Sequence, residues 1–224
     1  GGKLVTVTSD YDGFSQDSAE VYGKVHSSTA GSMSGLAVAA NNTDVWVKCG
    51  GDDKTNGFWY TLDGGDSWNQ AKKSPLTTGP AHGGTVAVSA DGEIFFWAPE
   101  NGAFVFWSDD QGKSWNQSEG CSTVKRMIAD QVNPDYVYAA SGSTFYYSSD
   151  RGKTFKSNSE LSVFSSTRPV AVPGVEGKIY YPAMGLQVST DHGETFTRLD
   201  TVVNCQMVGV GKGKTDESPC TLFI

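Results

Sequence analysis

Ser148-Ser149-Asp150-Arg151-Gly152-Lys153-Thr154-Phe155 is one of four stretches with the pattern Ser/Thr-x-Asp-x-Gly-x-Ser/Thr-Trp/Phe; the others are 61–68, 108–115 and 189–196. The Asp carboxylate can accept bonds from the backbone N–H groups that follow it, and the Gly can adopt a positive φ. The pattern therefore predicts a tight turn between two strands, and we call each copy an Asp box. We expect its carboxylates to be structural rather than catalytic or metal-binding: Asp63, Asp110, Asp150 and Asp191.

The spacing of the boxes indicates the fold. Successive box aspartates are 47, 40 and 41 residues apart, and periods near 40–45 residues with short strands are typical of propeller blades. Three strand-like runs precede each box and one follows it, which predicts an all-β, single-domain β-propeller. The four complete blades are expected at about 34–72, 80–119, 122–158 and 166–200, with partial blades at 1–33 and 201–224. Because a half blade leaves an unpaired strand edge, we expect the natural chain to continue past Ile224.

Composition excludes several classes of function. The 224-residue chain has a net charge of −8, which opposes binding to nucleic acid or to an anionic membrane surface. No apolar run approaches the roughly 20 residues of a membrane-spanning helix. With three His and no Cys-x-x-Cys motif, we predict no metal site and no cofactor.

The four cysteines are an even set in a chain rich in Gly and aromatic residues, which suggests disulfide bonds, with buried free thiols as the alternative. Cys49 ends a second strand and Cys121 lies in the inter-blade loop of the next blade, so both are expected on the face opposite the boxes. A Cys49–Cys121 bond is therefore allowed, and Cys205–Cys220 follows by elimination.

Other segments narrow the family. In chain order they are 10–14 (Asp-Tyr-Asp-Gly-Phe), 83–92, 96–99, 132–134, 143–146, 170–177 and 208–212. Over nearly the whole chain, and in register with the boxes, they resemble the C-terminal propeller of family 74 glycoside hydrolases. This resemblance implies a secreted, extracellular enzyme that cleaves the β-1,4-glucan backbone of xyloglucan with inversion. It also implies that two seven-bladed propellers face each other across the glucan.

The resemblance assigns the general acid to Asp10. That residue occupies the Asp of the family's Gly-Asp-x-x-Gly-Phe motif, although Ser9 replaces the first Gly and Ser15-Gln16 stands where Arg-His is frequent. Asp12 is the competing candidate, and an Asx turn before Gly13 is the structural alternative for either residue.

Sugar rings stack on aromatic side chains, which suggests the substrate contacts. Tyr11 and Phe14 flank the candidate acid. Loops after second strands and between blades lie opposite the boxes, so Trp97, Tyr181 and His82 are expected to contact the glucan. Packing between blades is the alternative, and we favour it for Tyr138 and Tyr180.

Two other functions compete with this interpretation. A sialidase clamps a carboxylate with three arginines, but only Arg126, Arg151, Arg168 and Arg198 are present, and Arg151 lies inside a box. A non-catalytic binding module of the sortilin or assembly-factor kind is the second alternative. In the resembling family the base comes from the N-terminal propeller, so we expect that propeller as a partner and little activity from residues 1–224 alone.

Overall fold

The structure, a computed structural model, describes residues 3–26, 31–158, 161, 167–211 and 220–224. All elements within these ranges are β-strands. None of the described segments forms a helix long and apolar enough to cross a membrane. The all-β prediction is therefore confirmed.

Four antiparallel sheets of four strands follow one another along the chain, each with its strands in sequence order. The first sheet contains β4 (Met33–Val38), β5 (Trp46–Gly50), β6 (Phe58–Thr61) and β7 (Asn69–Gln70). The second contains β8 (Thr85–Val88), β9 (Phe95–Ala98), β10 (Phe104–Ser108) and β11 (Asn116–Ser122). The third contains β12 (Arg126–Ala129), β13 (Val137–Ser141), β14 (Thr144–Ser148) and β15 (Lys156–Asn158). The fourth contains β16 (Val170–Ala171), β17 (Ile179–Ala183), β18 (Gly185–Ser189) and β19 (Thr197–Leu199).

Smaller sheets flank these four. Before them, β1 (Leu4–Val7), β2 (Gly13–Gln16) and β3 (Lys24–Val25) form a three-stranded antiparallel sheet. After them, β20 (Gly209–Gly211) pairs with β21 (Thr221–Phe223). The register of β1 against β2 runs from Leu4↔Gln16 to Val7↔Gly13, which leaves residues 8–12 as the connecting loop.

The core lies between neighbouring sheets rather than inside one of them. The first strands of adjacent sheets contact each other, β4 with β8, β8 with β12, and β12 with β16, as expected around a propeller axis. One apolar cluster joins Val47 and Phe58 to Phe95 and Trp97, and the next joins Phe96 and Val105 to neighbours on the third sheet. Second strands are consequently covered on both faces by the adjacent sheets.

Each Asp box closes on itself by the same set of hydrogen bonds. In the third box, the Thr154 N–H and hydroxyl donate to the Asp150 carboxylate at 2.9 and 2.6 Å. The Ser148 hydroxyl donates to the same carboxylate at 2.7 Å and accepts from the Gly152 N–H at 2.9 Å. The other three boxes repeat these bonds. Every box carboxylate is therefore engaged within its own turn.

These bonds stabilise the ionised carboxylates. Hydrogen bonds from the Ser67 and Thr61 side chains, and then from the Ser67 N–H, lower the pKa of Asp63 to about 2. Burial raises the pKa of Asp150, but the bonds from Thr154 and Ser148 outweigh it, so that pKa is also below its usual range. Such a carboxylate is suited to holding a turn together and poorly suited to donating a proton.

The box glycine is required by packing as well as by conformation. Gly152 has φ +75°, and a Cβ there would lie 2.3 Å from Cε1 of Phe96 on the preceding sheet. Gly193 meets Phe145 in the same way at 2.2 Å. The residue before each box glycine is also left-handed, with φ of 63° at Arg151 and 62° at His192. The third and fourth boxes thus press against the sheet before them, which the pattern alone did not reveal.

The predicted disulfide bonds, Cys49–Cys121 and Cys205–Cys220, are wrong, because all four cysteines are free thiols. Cys49 lies on the second strand of its sheet and Cys121 on the outer strand of the next, in separate apolar clusters. Burial raises the pKa of the Cys49 thiol to about 12. Cys205 and Cys220 share a cluster, but the Cys205 thiol donates to the Met207 carbonyl at 3.1 Å.

Candidate functional site

The loop that carries Asp10 lies at the edge of the sheets opposite the boxes. Lys3, just before β1, donates from Nζ to the Gly64 carbonyl of the first box at 3.0 Å. Beyond the other end of β1, the Thr8 carbonyl accepts from the N–H of Met33, the first residue of β4, at 3.0 Å. Strand β1 therefore runs away from the boxes, and loop 8–12 lies where β4 begins.

Backbone hydrogen bonds connect the loops along this opposite side, which we call the far edge and define as loops 8–12, 50–57, 79–84, 99–103 and 123–125. The Gly51 N–H donates to Ser32 O at 2.8 Å, and the Gly57 N–H donates to Ala81 O at 2.8 Å. The Glu100 N–H then donates to His82 O at 2.9 Å. The far edge is thus a continuous surface across successive sheets.

Asp10 is exposed at this edge. Among the described residues, its carboxylate has no hydrogen-bond or ion-pair partner. The next residue, Tyr11, is 64% exposed and its ring lies parallel to that of the half-buried Phe14, with centroids 6.4 Å apart. The structure therefore brings three of the predicted site residues together, with the Asp10 carboxylate accessible.

Asp12 is different, because it is buried in an ion pair with the fully buried Lys48 of β5. The Lys48 ammonium also lies 3.8 Å from the centre of the Trp68 ring. Burial lowers the pKa of Lys48 to about 8, although the hydrogen bond and charge of Asp12 oppose this shift. His26 packs against Trp68 with centroids 4.9 Å apart. Its pKa is lowered to about 4 by burial and, secondarily, by the charge of Lys48.

Sequence reasoning missed Lys48, although a signal was present. The residue lies in the run Trp46-Val47-Lys48-Cys49, and a lone charge in a buried strand requires a partner. The residues around Lys48 do not indicate that partner, because Asp12 is 36 positions away and belongs to another sheet.

The far edge also contains a cavity of about 560 Å³ between the second and third complete sheets. Its lining includes Ser34, Glu100, Asn101, Lys125 and Arg126. Half-buried His82 is adjacent, since its N–H donates to Oδ1 of Asn101 at 3.1 Å. His82 is therefore at the far edge, as expected.

Two predicted substrate contacts, Trp97 and Tyr181, are wrong. Trp97 is fully buried, and its Nε1–H donates to the Gly83 carbonyl at 2.9 Å. Tyr181 is 1% exposed and packs against Phe145 and Phe196. Both lie on second strands that neighbouring sheets cover on each face, so the blade-packing alternative holds for them.

Arg151 lies apart from Arg126 and Arg168. Arg151 binds Asp91, Glu93 and Asp135 on the box side of the sheets. Arg126 and Arg168 are close to each other. Burial lowers the pKa of Arg168, and the positive charge of Arg126 lowers it further. Arg151 therefore cannot join Arg126 and Arg168 in a clamp at the far edge. Within the described ranges, no three His, Cys, Asp or Glu side chains gather as metal ligands either.

Comparison with known proteins identifies the family. The model of the DUF6242 beta propeller domain matches residues 22–171. A xyloglucanase of a Paenibacillus species is 30% identical over the whole chain, and xyloglucanase Xgh74A of Acetivibrio thermocellus is 31% identical. The chain spans only 23% and 27% of their lengths.

Solved structures agree with this. The family 74 enzyme of Niastella koreensis superposes with a TM-score of 0.84 at 29% identity, over 100% of this chain and 32% of that one. The family 74 xyloglucanase of Xanthomonas campestris, at 22% identity, shows the same fold with a TM-score of 0.87 over 99% of this chain and 33% of that one. The chain therefore belongs to the DUF6242 β-propeller family, as a C-terminal propeller portion of the family 74 glycoside hydrolase type.

Proposed function

We propose that this chain is the part of a xyloglucan-cleaving glycosidase that supplies the general acid, and that Asp10 is that acid. The observation that carries the proposal is the contrast among its carboxylates. Asp10 is exposed and free of partners within the described residues, whereas Asp12 is ion-paired and buried and the box aspartates are closed within turns. The xyloglucanase relatives supply the substrate class.

In the proposed reaction Asp10 protonates the glycosidic oxygen as the bond to the anomeric carbon breaks. An inverting enzyme also needs a carboxylate about 6.5–9.5 Å from the acid, to activate a water on the opposite face of the sugar. The base would come from a second propeller facing the far edge, in a secreted enzyme whose intact propellers have seven blades. The reaction requires no cofactor.

The substrate would lie along the far edge. Exposed Tyr11 and half-buried Phe14 offer rings to the C–H faces of glucosyl units, and their parallel arrangement favours two adjacent contacts. The cavity beside His82 is lined by hydrogen-bonding groups that include the acidic Glu100 and the basic Arg126. These contacts would fix the glucan so that the scissile oxygen lies over Asp10.

The test is Asp10→Asn in the enzyme that contains this chain. A carboxamide cannot protonate the leaving oxygen, and the loss of general acid catalysis lowers rates by about 10²–10⁴-fold. An aryl glycoside with a good leaving group needs less protonation, so its hydrolysis should fall much less than that of xyloglucan. Equal losses on both substrates would contradict the assignment, as would wild-type rates on xyloglucan. A folded Asp12→Asn variant more damaged than Asp10→Asn would transfer the role to Asp12.

A further inference from the structure

The loop of the candidate acid is attached to the rest of the molecule through Asp12. Two residues after Asp10, the Asp12 side chain is turned inward and only 5% exposed, and it forms the ion pair with Lys48. Within the loop itself, the Thr8 hydroxyl donates to the Tyr11 carbonyl. Since the Asp10 carboxylate has no partner among the described residues, the backbone of this loop determines where it lies.

The ion pair between Asp12 and Lys48 joins two neighbouring sheets. Lys48 is the central residue of β5, in a strand buried along its whole length. Its ammonium lies between Asp12, in the β1–β2 loop of the flanking three-stranded sheet, and the ring of Trp68, the last residue of the first Asp box. A buried ammonium retains its charge only where such groups replace water. The loop is thereby tied to the rigid centre of the adjacent blade.

The start of β2 is fixed on the other side of Asp12. A Cβ at Gly13 would lie 2.3 Å from the Thr6 carbonyl oxygen and 2.9 Å from Nδ1 of His26. The Gly13 carbonyl accepts from the His26 N–H at 2.9 Å. The backbone at Gly13 therefore has no room to move toward β1. The ion pair with Lys48 holds Asp12 on the side of the adjacent sheet.

We propose that Lys48 and Asp12 form a positioning pair that holds the loop bearing Asp10 in the geometry needed to protonate the glycosidic oxygen. This inference rests on the proposed function of Asp10. Displacement of a catalytic group by about 1 Å can lower a rate by about 10²-fold without contact between the altered residue and the substrate. Neither Lys48 nor Asp12 needs to touch the glucan for this effect.

The chain offers a matched control in Arg151. Its guanidinium also joins neighbouring sheets, pairing with Asp91 and, at 3.2 Å, with Glu93 of the preceding sheet. It lies on the box side, away from loop 8–12. Arg151→Met therefore breaks an ion pair between sheets without releasing the loop.

The experiment measures kcat and KM of the complete enzyme, on xyloglucan and on an aryl glycoside with a good leaving group, below the unfolding temperature of every variant. Lys48→Met is expected to lower kcat on xyloglucan by about 10–100-fold with KM changed less than about threefold. Its loss on the aryl glycoside should be several times smaller. Arg151→Met should keep kcat within about twofold on both substrates.

Asp12→Asn provides a second, milder variant should Lys48→Met fail to fold. The amide keeps the shape of the carboxylate and an oxygen that can accept from Lys48, but it loses the charge. We expect kcat on xyloglucan to fall by about fivefold or more, with the same selectivity between substrates.

Some outcomes overturn the inference. It falls if the folded Lys48 or Asp12 variants keep kcat within about twofold of wild type, or if Lys48→Met and Arg151→Met lose equal activity on both substrates. Asp10→Asn in the same assay separates the two claims. Inactive Asp10→Asn beside intact Lys48→Met refutes only the positioning pair, whereas active Asp10→Asn refutes the proposed acid and the pair together.

Discussion

The box turns and the β1–β2 loop both carry an Asp within two residues of a Gly, but they hold their carboxylates differently. In a box, every partner of the carboxylate lies within four residues of it, as with Thr154 and Asp150. In the loop, Asp12 pairs with Lys48, 36 positions away on another sheet, and lies 3.8 Å from Nδ1 of His26. Asp10 has no such partner among the described residues.

This difference separates two uses of the same side chain. A carboxylate that receives several hydrogen bonds favours its ionised form and stabilises a turn, whereas a carboxylate left unengaged at an exposed edge is available to a substrate. The boxes therefore build the scaffold, and loop 8–12 is held on it by contacts with other sheets, among them the buried ion pair of Asp12 with Lys48.

The largest stability effect is expected at a box glycine. Gly152→Ala would place a methyl group 2.3 Å from Cε1 of Phe96 at a φ of +75°, and we expect it to lower the free energy of unfolding by about 3 kcal/mol or more. Gly142→Ala is the control, because its φ is +58° but nothing lies within 4 Å of the new carbon. That variant should lose only about 1 kcal/mol. Urea unfolding measures both, and equal losses would mean that the third box does not press on the preceding sheet.

A smaller effect should appear with pH at the Lys48 cluster. The pKa of His26 falls from 6.5 to about 4 on folding, so between these values the unfolded chain binds a proton that the folded chain does not. The free energy of unfolding should therefore fall as pH decreases from about 6.5 to about 4, by about 2–3 kcal/mol.

His26→Phe removes this titration while keeping a ring against Trp68. Thermal unfolding across that pH range should show a flatter profile for His26→Phe than for wild type. His82→Phe, at the half-buried far-edge histidine, serves as the control and should retain the slope. An unchanged slope in His26→Phe would show that this cluster does not govern the acid sensitivity.

Sequence reasoning predicted the parts of the fold that are encoded locally. The four box turns followed from the order Ser/Thr, Asp, Gly within eight residues, because each turn satisfies its own carboxylate. The sheets followed from the spacing of the boxes. Loop 8–12 was found only through the family resemblance, since Asp10 and Asp12 look alike in sequence and differ only by the side to which each points.

The wrong predictions concern packing between neighbouring blades. Trp97 and Tyr181 were expected at the far edge from their positions near strand ends, but adjacent sheets cover both faces of their strands. The Cys49–Cys121 bond was wrong because these two residues lie in separate apolar layers. Lys48 was missed for the same reason, because its partner lies across a blade boundary. Contacts between blades depend on packing that no single repeat displays.

The most direct test compares Asp10→Asn with Asp150→Asn in the complete enzyme, by xyloglucan hydrolysis at a temperature where both are folded. We expect Asp10→Asn to lower kcat by about 10²–10⁴-fold with an unchanged unfolding temperature. Asp150→Asn should lower the unfolding temperature and leave kcat as in wild type. Loss of activity in the folded Asp150 variant, or wild-type activity in the Asp10 variant, would contradict these two roles.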